Sequence, residues 1–460
     1  MVRRMEKNMN SVRERLMKIG RFLALFMVMG ALSACDDGLL DLEPVDQLTD
    51  EIAISDARGA RAALTGAYQA LQSSSYYGGS FLFFNDLSAD NAIHTGTFHS
   101  HAEAARNQLR PENSAVASIW NAIYEGINRV NHLVLRVPDI PDLSESEKSR
   151  ILGEARFLRA LHYHNLVRLW GDVPMRTAPI ASPEEASTIE RVSMEEVYTQ
   201  ILSDLEAARS SLSAQGDTRR ATLGAAHALA ARVHLYREEW GQVEAAAEAV
   251  EGLGYSLATE YQALFPPDGG ETPEDIFRVL FTVIQWNQLG WYYIASSFGG
   301  RGEIAPQQSL IDAYEAGDVR RDLTIHGSQE GAAHGTKFPT TAGAEDPHVI
   351  RFAEVILAKA EALAQQGRLD EAVTAYNRIR ARAGLVPHVL DQDVTSQQDV
   401  LEAIWHERRI ELALEGDRFS DLRRTGRAAE VLDIPAFQAL YPIPQAEMDV
   451  APNMAQNPGY

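Results

Sequence analysis

VILAKAEALAQQGRLDEAVTAYNRI, from Val355 to Ile379, reads as two helices joined by a short turn, with apolar residues at helical spacing on both sides of Gly367. A second stretch, ALAARVHLYREEWGQVEAAAEAV from Ala228 to Val250, repeats the plan. In both, alanine recurs where two helices must approach closely. Working outward, Ser55 and Asp56 offer N-cap oxygens ahead of Ala60, Leu64, Ala67 and Leu71, whose spacing makes one apolar helical face. The same period runs through Ile119, Ile123, Ile127 and Val130, and through Ile151, Ala155, Leu158, His162, Asn165 and Leu169. Further helices are expected over about 193–213, 221–237, 239–252, 349–366, 368–384 and 400–416. Helices dominate the chain.

The two hairpins resemble the tetratricopeptide repeat, with Ala360, Gly367, Ala372 and Tyr376 carrying most of the likeness. Residues 73–112 and 254–346 break the regularity: they are rich in Gly, Pro, Asn, His and aromatics and show little helical period. Long irregular insertions in a helical scaffold usually hold the binding function. The chain has 460 residues, 45% of them hydrophobic and 23% charged, an ordinary globular composition that excludes disorder throughout. Its formal charge of −22 repels phosphate backbones, so nucleic acid is a poor partner.

Residues 1–34 run against that balance, with seven basic and two acidic side chains, and removing them leaves −27. The apolar run FLALFMVMGAL, Phe22 to Leu32, is too short to span a bilayer but fits the core of a signal peptide. It ends Leu32-Ser33-Ala34-Cys35, which resembles the lipobox of bacterial lipoproteins, and Cys35 is the single cysteine of the chain. Residues 1–34 are therefore expected to be a signal peptide, with Met17 an alternative start. Cys35 is expected to carry the lipid, residues 35–48 to form a tether, and residues 49–460 to form one domain.

Several residue patterns raise chemistry. HERRIELALEGDRFSDLRR stacks Glu407, Glu411 and Glu415 at i, i+4 and i+8, as a glycosidase pair or a metal site would require. Arg408, Arg409, Arg418, Arg423 and Arg424 stand close by, so a structural ion-pair network is favoured. His406-Glu407 fails as a zinc motif because Ile410 occupies the second histidine position. His162 is expected to be a core histidine. His94, His99 and His101 cluster without a cysteine or spaced carboxylate, and are read as surface histidines rather than a zinc site. Asp268, Glu271, Glu274 and Asp275 read as a solvated acidic turn rather than a calcium loop. Gly300-Arg301-Gly302-Glu303 matches a dinucleotide fingerprint by letters only. No cofactor or metal is expected.

The aromatics of the irregular regions say more. Sugars need flat apolar platforms for their C–H faces and planar amides or carboxylates for their hydroxyls. Trp286, Trp291 and Tyr292 are the expected platforms, and Asn91 and Asp90 the expected polar partners. Trp120, beside Ile119 and Ile123, is assigned to packing.

The segments EARFLRALHYHNLVRLWGDVPM from Glu154, VIRFAEVILAKAEAL from Val349, ERRIELALEGDRFSDLRRTG from Glu407 and YPIPQAEMDVAPNMAQNPGY from Tyr441 resemble, in order, the SusD/RagB family of outer-membrane nutrient-binding lipoproteins. RATLGAAHALAARVHLYREEW, from Arg220 to Trp240, fits as well. The resemblance implies an all-α fold of tetratricopeptide-like helix pairs packed against a loop-rich ligand-binding half. It implies a lipid-anchored protein of the outer membrane, exposed at the cell surface. Such a protein binds oligosaccharide non-covalently and delivers it to a SusC-like, TonB-dependent transporter. The alternatives are a peptide-binding member of the same scaffold and, further off, a secreted helical glycoside hydrolase. Neither catalysis nor a bound cofactor is expected.

Overall fold

Polar side chains that satisfy first-turn N–H groups set where the helices begin. Asp56 Oδ1 accepts from Gly59 N at 2.6 Å, and Thr222 Oγ1 accepts from Ala225 N at 3.1 Å. Ser193 with Glu196, and Ser396 with Asp399, form reciprocal capping boxes. The structure is a computed structural model that describes residues 53–180, 182–214, 216–267 and 269–460. The expected signal peptide, Cys35 and the whole tether of residues 35–48 lie outside the described residues, as do residues 49–52 at the start of the expected domain and Asp268.

Nine helices of twelve residues or more are present among the described residues. They are α1 (Ala57–Leu71), α2 (Ser114–Arg136), α3 (Glu145–Trp170), α4 (Met194–Arg209), α5 (Leu223–Tyr236), α6 (Trp240–Glu251), α7 (Phe352–Gln365), α8 (Leu369–Arg382) and α9 (Gln397–Glu411). Each packs on the next in chain order. The rule holds even between α6 and α7, which are separated by the second irregular region. There Leu235, Val243, Ala358 and Ala362 form a common core, with Trp240 laid against it. Small alanines at i and i+4 let the backbones approach, which is the packing that the repeated hairpin sequences imply. Ala360, Ala372 and Tyr376 are fully buried, and Gly367 turns the chain at φ +77°.

Helix α3 lacks a polar stripe because it is enclosed: from Ile151 to Trp170 nearly every residue is buried between α2 and α4. Gly126 of α2 crosses it at the ring of His162. That ring is a core histidine, as expected, with Nδ1 at 3.1 Å from the Tyr76 hydroxyl. Burial drives its pKa down to about 3. Trp120 is buried against Trp170 and Tyr124, so its assignment to packing also holds.

The two irregular regions contain short helices and strands rather than bare loop. Three two-stranded antiparallel sheets occur among the described residues: β1 (Ala92–His94) with β3 (Ile304–Pro306), β2 (Asp275–Arg278) with β6 (His348–Arg351), and β4 (Ile325–His326) with β5 (His334–Gly335). The first of these decides the layout of the site. β1 comes from the first irregular region and β3 from the second, so the pairing Ala92↔Pro306, Ile93↔Ala305, His94↔Ile304 stitches the two into one face.

Candidate functional site

The carboxylate stripe is a frame. Glu407 and Glu411 project from α9, and Glu415 joins them from the turn beyond its end. All three are enclosed by cations. Glu407 pairs with Arg320 at 3.0 Å and Arg380 at 2.8 Å. Glu411 pairs with Arg320 at 3.1 Å and with Arg351 and Arg382, and Glu415 pairs with Arg351 and Lys337, each at 2.9 Å. Burial disfavours the Glu411 charge, yet Arg382, Arg351 and Arg320 together hold its pKa well below the usual carboxylate range.

The expected network is therefore present, with different partners. The arginines adjacent in sequence serve other acids: Arg408 pairs with Asp417 and Asp421, Arg424 with Glu361 and Asp421, and Arg418 with Asp90. The acidic loop also departs from expectation. Glu274 is buried against Arg351 and Arg382, and Asp275 is buried against His348 and Arg278. These two carboxylates brace the β2–β6 pair instead of standing in solvent.

On the stitched face, the short helix Leu289–Tyr293 carries Trp291 and Tyr292. Both side chains are half-buried. Tyr292 lies 5.3 Å from Phe83 and 6.2 Å from Phe98, ring centre to ring centre. Phe98 is 38% exposed, and the Arg301 guanidinium covers its ring at 4.3 Å. Trp286 is 42% exposed, two residues after the 90% exposed Ile284, and the ring contacts of Tyr292 and Phe98 do not include it. Phe298, also exposed, lies tilted against His334 at 4.7 Å and edge-on to His326 at 5.2 Å. The fold thus brings Tyr292, Phe98 and Arg301 together, with Trp291 on the same short helix.

Asp90 and Asn91 lie beneath this face. Asp90 takes Arg418 in a two-pronged pair at 2.7 and 3.0 Å. Burial disfavours its charge, but Arg418 and Arg409 lower its pKa on balance. Asn91 is buried, donating to Asp86 at 3.3 Å and accepting from Arg409 at 3.1 Å. Both fasten β1 to the frame around α9. Asn287, too, is committed inward, to the carbonyls of Gly343 and Glu345.

One group emerges that the sequence conceals. Glu303 approaches from β3 and accepts from Thr97 N and Phe98 N at 2.8 Å each, from Arg301 Nε at 2.8 Å, and lies 3.0 Å from His94 Nε2. Burial opposes its charge, but Arg301, these N–H groups and His94 outweigh it and hold its pKa at about 2. His101 completes the cluster from the helix His99–Ala105. It is 6% exposed and packed against Phe83, Phe84 and Phe98, so the surface reading is corrected for this histidine. His99 is on the surface, paired with Glu103 at 3.1 Å. No spacing could have announced Glu303, which is 209 positions from His94.

A stack of helical hairpins carrying a loop-built aromatic face is the architecture of a binding protein. The family comparisons agree with it. The SusD family profile matches residues 333–435, and a second profile, described as starch-binding associating with outer membrane, matches residues 40–235. The chain belongs to the SusD family. It is 26% identical to SusD-like protein P38 of Formosa agariphila, over 89% of this chain and 91% of that one. It is 25% identical to the starch-binding protein SusD of Bacteroides thetaiotaomicron, over 69% and 74%. Among solved structures, a laminarin-binding SusD-like protein superposes with a TM-score of 0.78 at 28% identity, covering 88% of this chain and all of the other.

Proposed function

We propose that this protein is a non-enzymatic, outer-membrane glycan binder, lipid-anchored through Cys35, that delivers oligosaccharide to a SusC-like, TonB-dependent transporter. The observation that carries the reading is the set of rings the core does not consume: Phe98 exposed and Tyr292 half-buried beside it, with half-buried Trp291 on the same short helix, and Trp286 exposed elsewhere in the second irregular region. Flat rings beside a guanidinium suit the C–H faces and hydroxyls of a sugar. The names of relatives support the same class of ligand, starch for one and laminarin for another. The pairing of Glu407, Glu411 and Glu415 with cations supports binding without turnover, because each carboxylate is already committed. The contact residues are Trp286, Trp291, Tyr292 and Phe98, with Asp90 and Asn91 holding the floor.

Titration calorimetry with laminarin and starch oligosaccharides, against a peptide panel, tests the proposal. A glycan is expected to bind without change in chain length. Alanine at Trp286, Trp291 or Tyr292 is expected to weaken it by ~1–3 kcal/mol per platform ring, by analogy with stacking on bases. Unchanged affinity in all three folded variants would move the site elsewhere, and binding confined to peptides would replace the ligand class.

A further inference from the structure

We infer that His94, His101 and Glu303 form a site for one divalent transition-metal ion of the zinc type, independent of the glycan reading. One ligand atom from each of the three residues lies within 4.8 Å of the others. In a tetrahedral zinc site, bonds of about 2.0–2.1 Å set ligand atoms roughly 3.3 Å apart. His94 Nε2 and Glu303 Oε1 are already at 3.0 Å; closure needs the His101 ring to draw in and His94 to present an unprotonated Nε2 in place of its hydrogen bond to the carboxylate.

The surroundings supply what such a site requires. His101 Nδ1 is buried with no hydrogen-bond partner, a polar atom whose desolvation nothing offsets. His101 sits among Phe83, Phe84 and Phe98, apolar surroundings that suit a neutral ligating imidazole. The N–H groups of Thr97 and Phe98 orient the Glu303 carboxylate. Gly96 leaves room for it, since a Cβ there would fall 2.0 Å from the carboxyl carbon.

Two imidazoles and one carboxylate are a borderline donor set that suits zinc, whereas calcium takes six to eight oxygens. Three protein ligands leave a fourth position for water. Arg301 is the competitor: its Nε lies 2.8 Å from Glu303 Oε2, and its side chain is partly exposed and can turn away. Without metal, Arg301 neutralises Glu303; with metal, the ion takes over that role.

Calorimetry on the mature chain, free of any affinity tag, uses zinc chloride and calcium chloride as probes. One zinc per chain is expected, with no calcium displacing it, and an X-ray absorption spectrum is expected to show nitrogen and oxygen ligands only. His94→Gln and His101→Gln should each weaken zinc at least ~100-fold. His94 is on a strand and partly exposed, so its variant reports even if the buried His101→Gln misfolds. Arg301→Gln should tighten binding, which a merely structural cluster would not do. His326→Gln, at the neighbouring histidine pair, should change nothing. Zinc affinity that survives both ligand variants, follows His326 instead, or is absent from the folded parent protein would overturn the assignment.

Discussion

Asp86 lies under the stitched face and accepts hydrogen bonds from Asn91 Nδ2, the Tyr293 hydroxyl and Gly416 N. Burial outweighs these bonds and raises its pKa to about 7. Between about pH 4 and pH 7 the unfolded chain gives up this proton and the native one keeps it, so stability falls as pH rises through that window. The buried histidines act in the opposite sense. His101 and His162 stay neutral in the native state down to about 4 and about 3, while the unfolded chain takes protons below roughly pH 6.5. Falling pH therefore also favours unfolding. Asp86→Asn removes the first slope alone: relative to the parent it should gain stability from pH 5 to pH 8, by up to roughly 3 kcal/mol. Urea unfolding of both proteins across that range is the check, and parallel curves would show that Asp86 does not titrate there.

At the scale of elements, the helices were legible because their information is local. Asp56, read as an N-cap, starts α1, and the alanine pattern of the two hairpins places α5 to α8 within a few residues. The site was less legible, because its parts meet only through the pairing of β1 with β3. The glutamate stripe shows the boundary well. Glu407 and Glu411 could be seen on one helix face, but Arg320 and Arg351, which neutralise them, arrive from the second irregular region and its border. Two glycines test the helix packing. Gly66 of α1 has open space around it, so Gly66→Ala should stabilise by about 0.4–1 kcal/mol through helix propensity. Gly126 of α2 meets the His162 ring, which a Cβ would approach to 2.5 Å. Gly126→Ala should destabilise by about 1–3 kcal/mol through overpacking. Denaturation midpoints should move in opposite directions, and a shared sign would mean that helix propensity, not the crossing at His162, decides both.

Across the whole molecule, the arrangement separates support from contact. The stacked helices and buried ion pairs hold a face whose rings come from the irregular regions rather than from the helix stack. No described helix is long and apolar enough to cross a membrane; the proposed attachment is through Cys35, which follows Leu32-Ser33-Ala34 in the sequence. A single acyl chain binds a bilayer only marginally, and more than one makes the attachment stable. With residues 1–34 removed, as proposed, the charge of −27 works against adsorption to an anionic surface, so little should remain bound once the lipid is lost. Cys35→Ser should therefore move most of the protein from the membrane to the soluble fraction while leaving glycan affinity unchanged in the purified protein. Gentle detergent extraction of the parent should bring a TonB-dependent barrel with it. A Cys35→Ser protein that stays on the membrane and still co-purifies with the barrel would mean that the transporter, rather than the lipid, is the anchor.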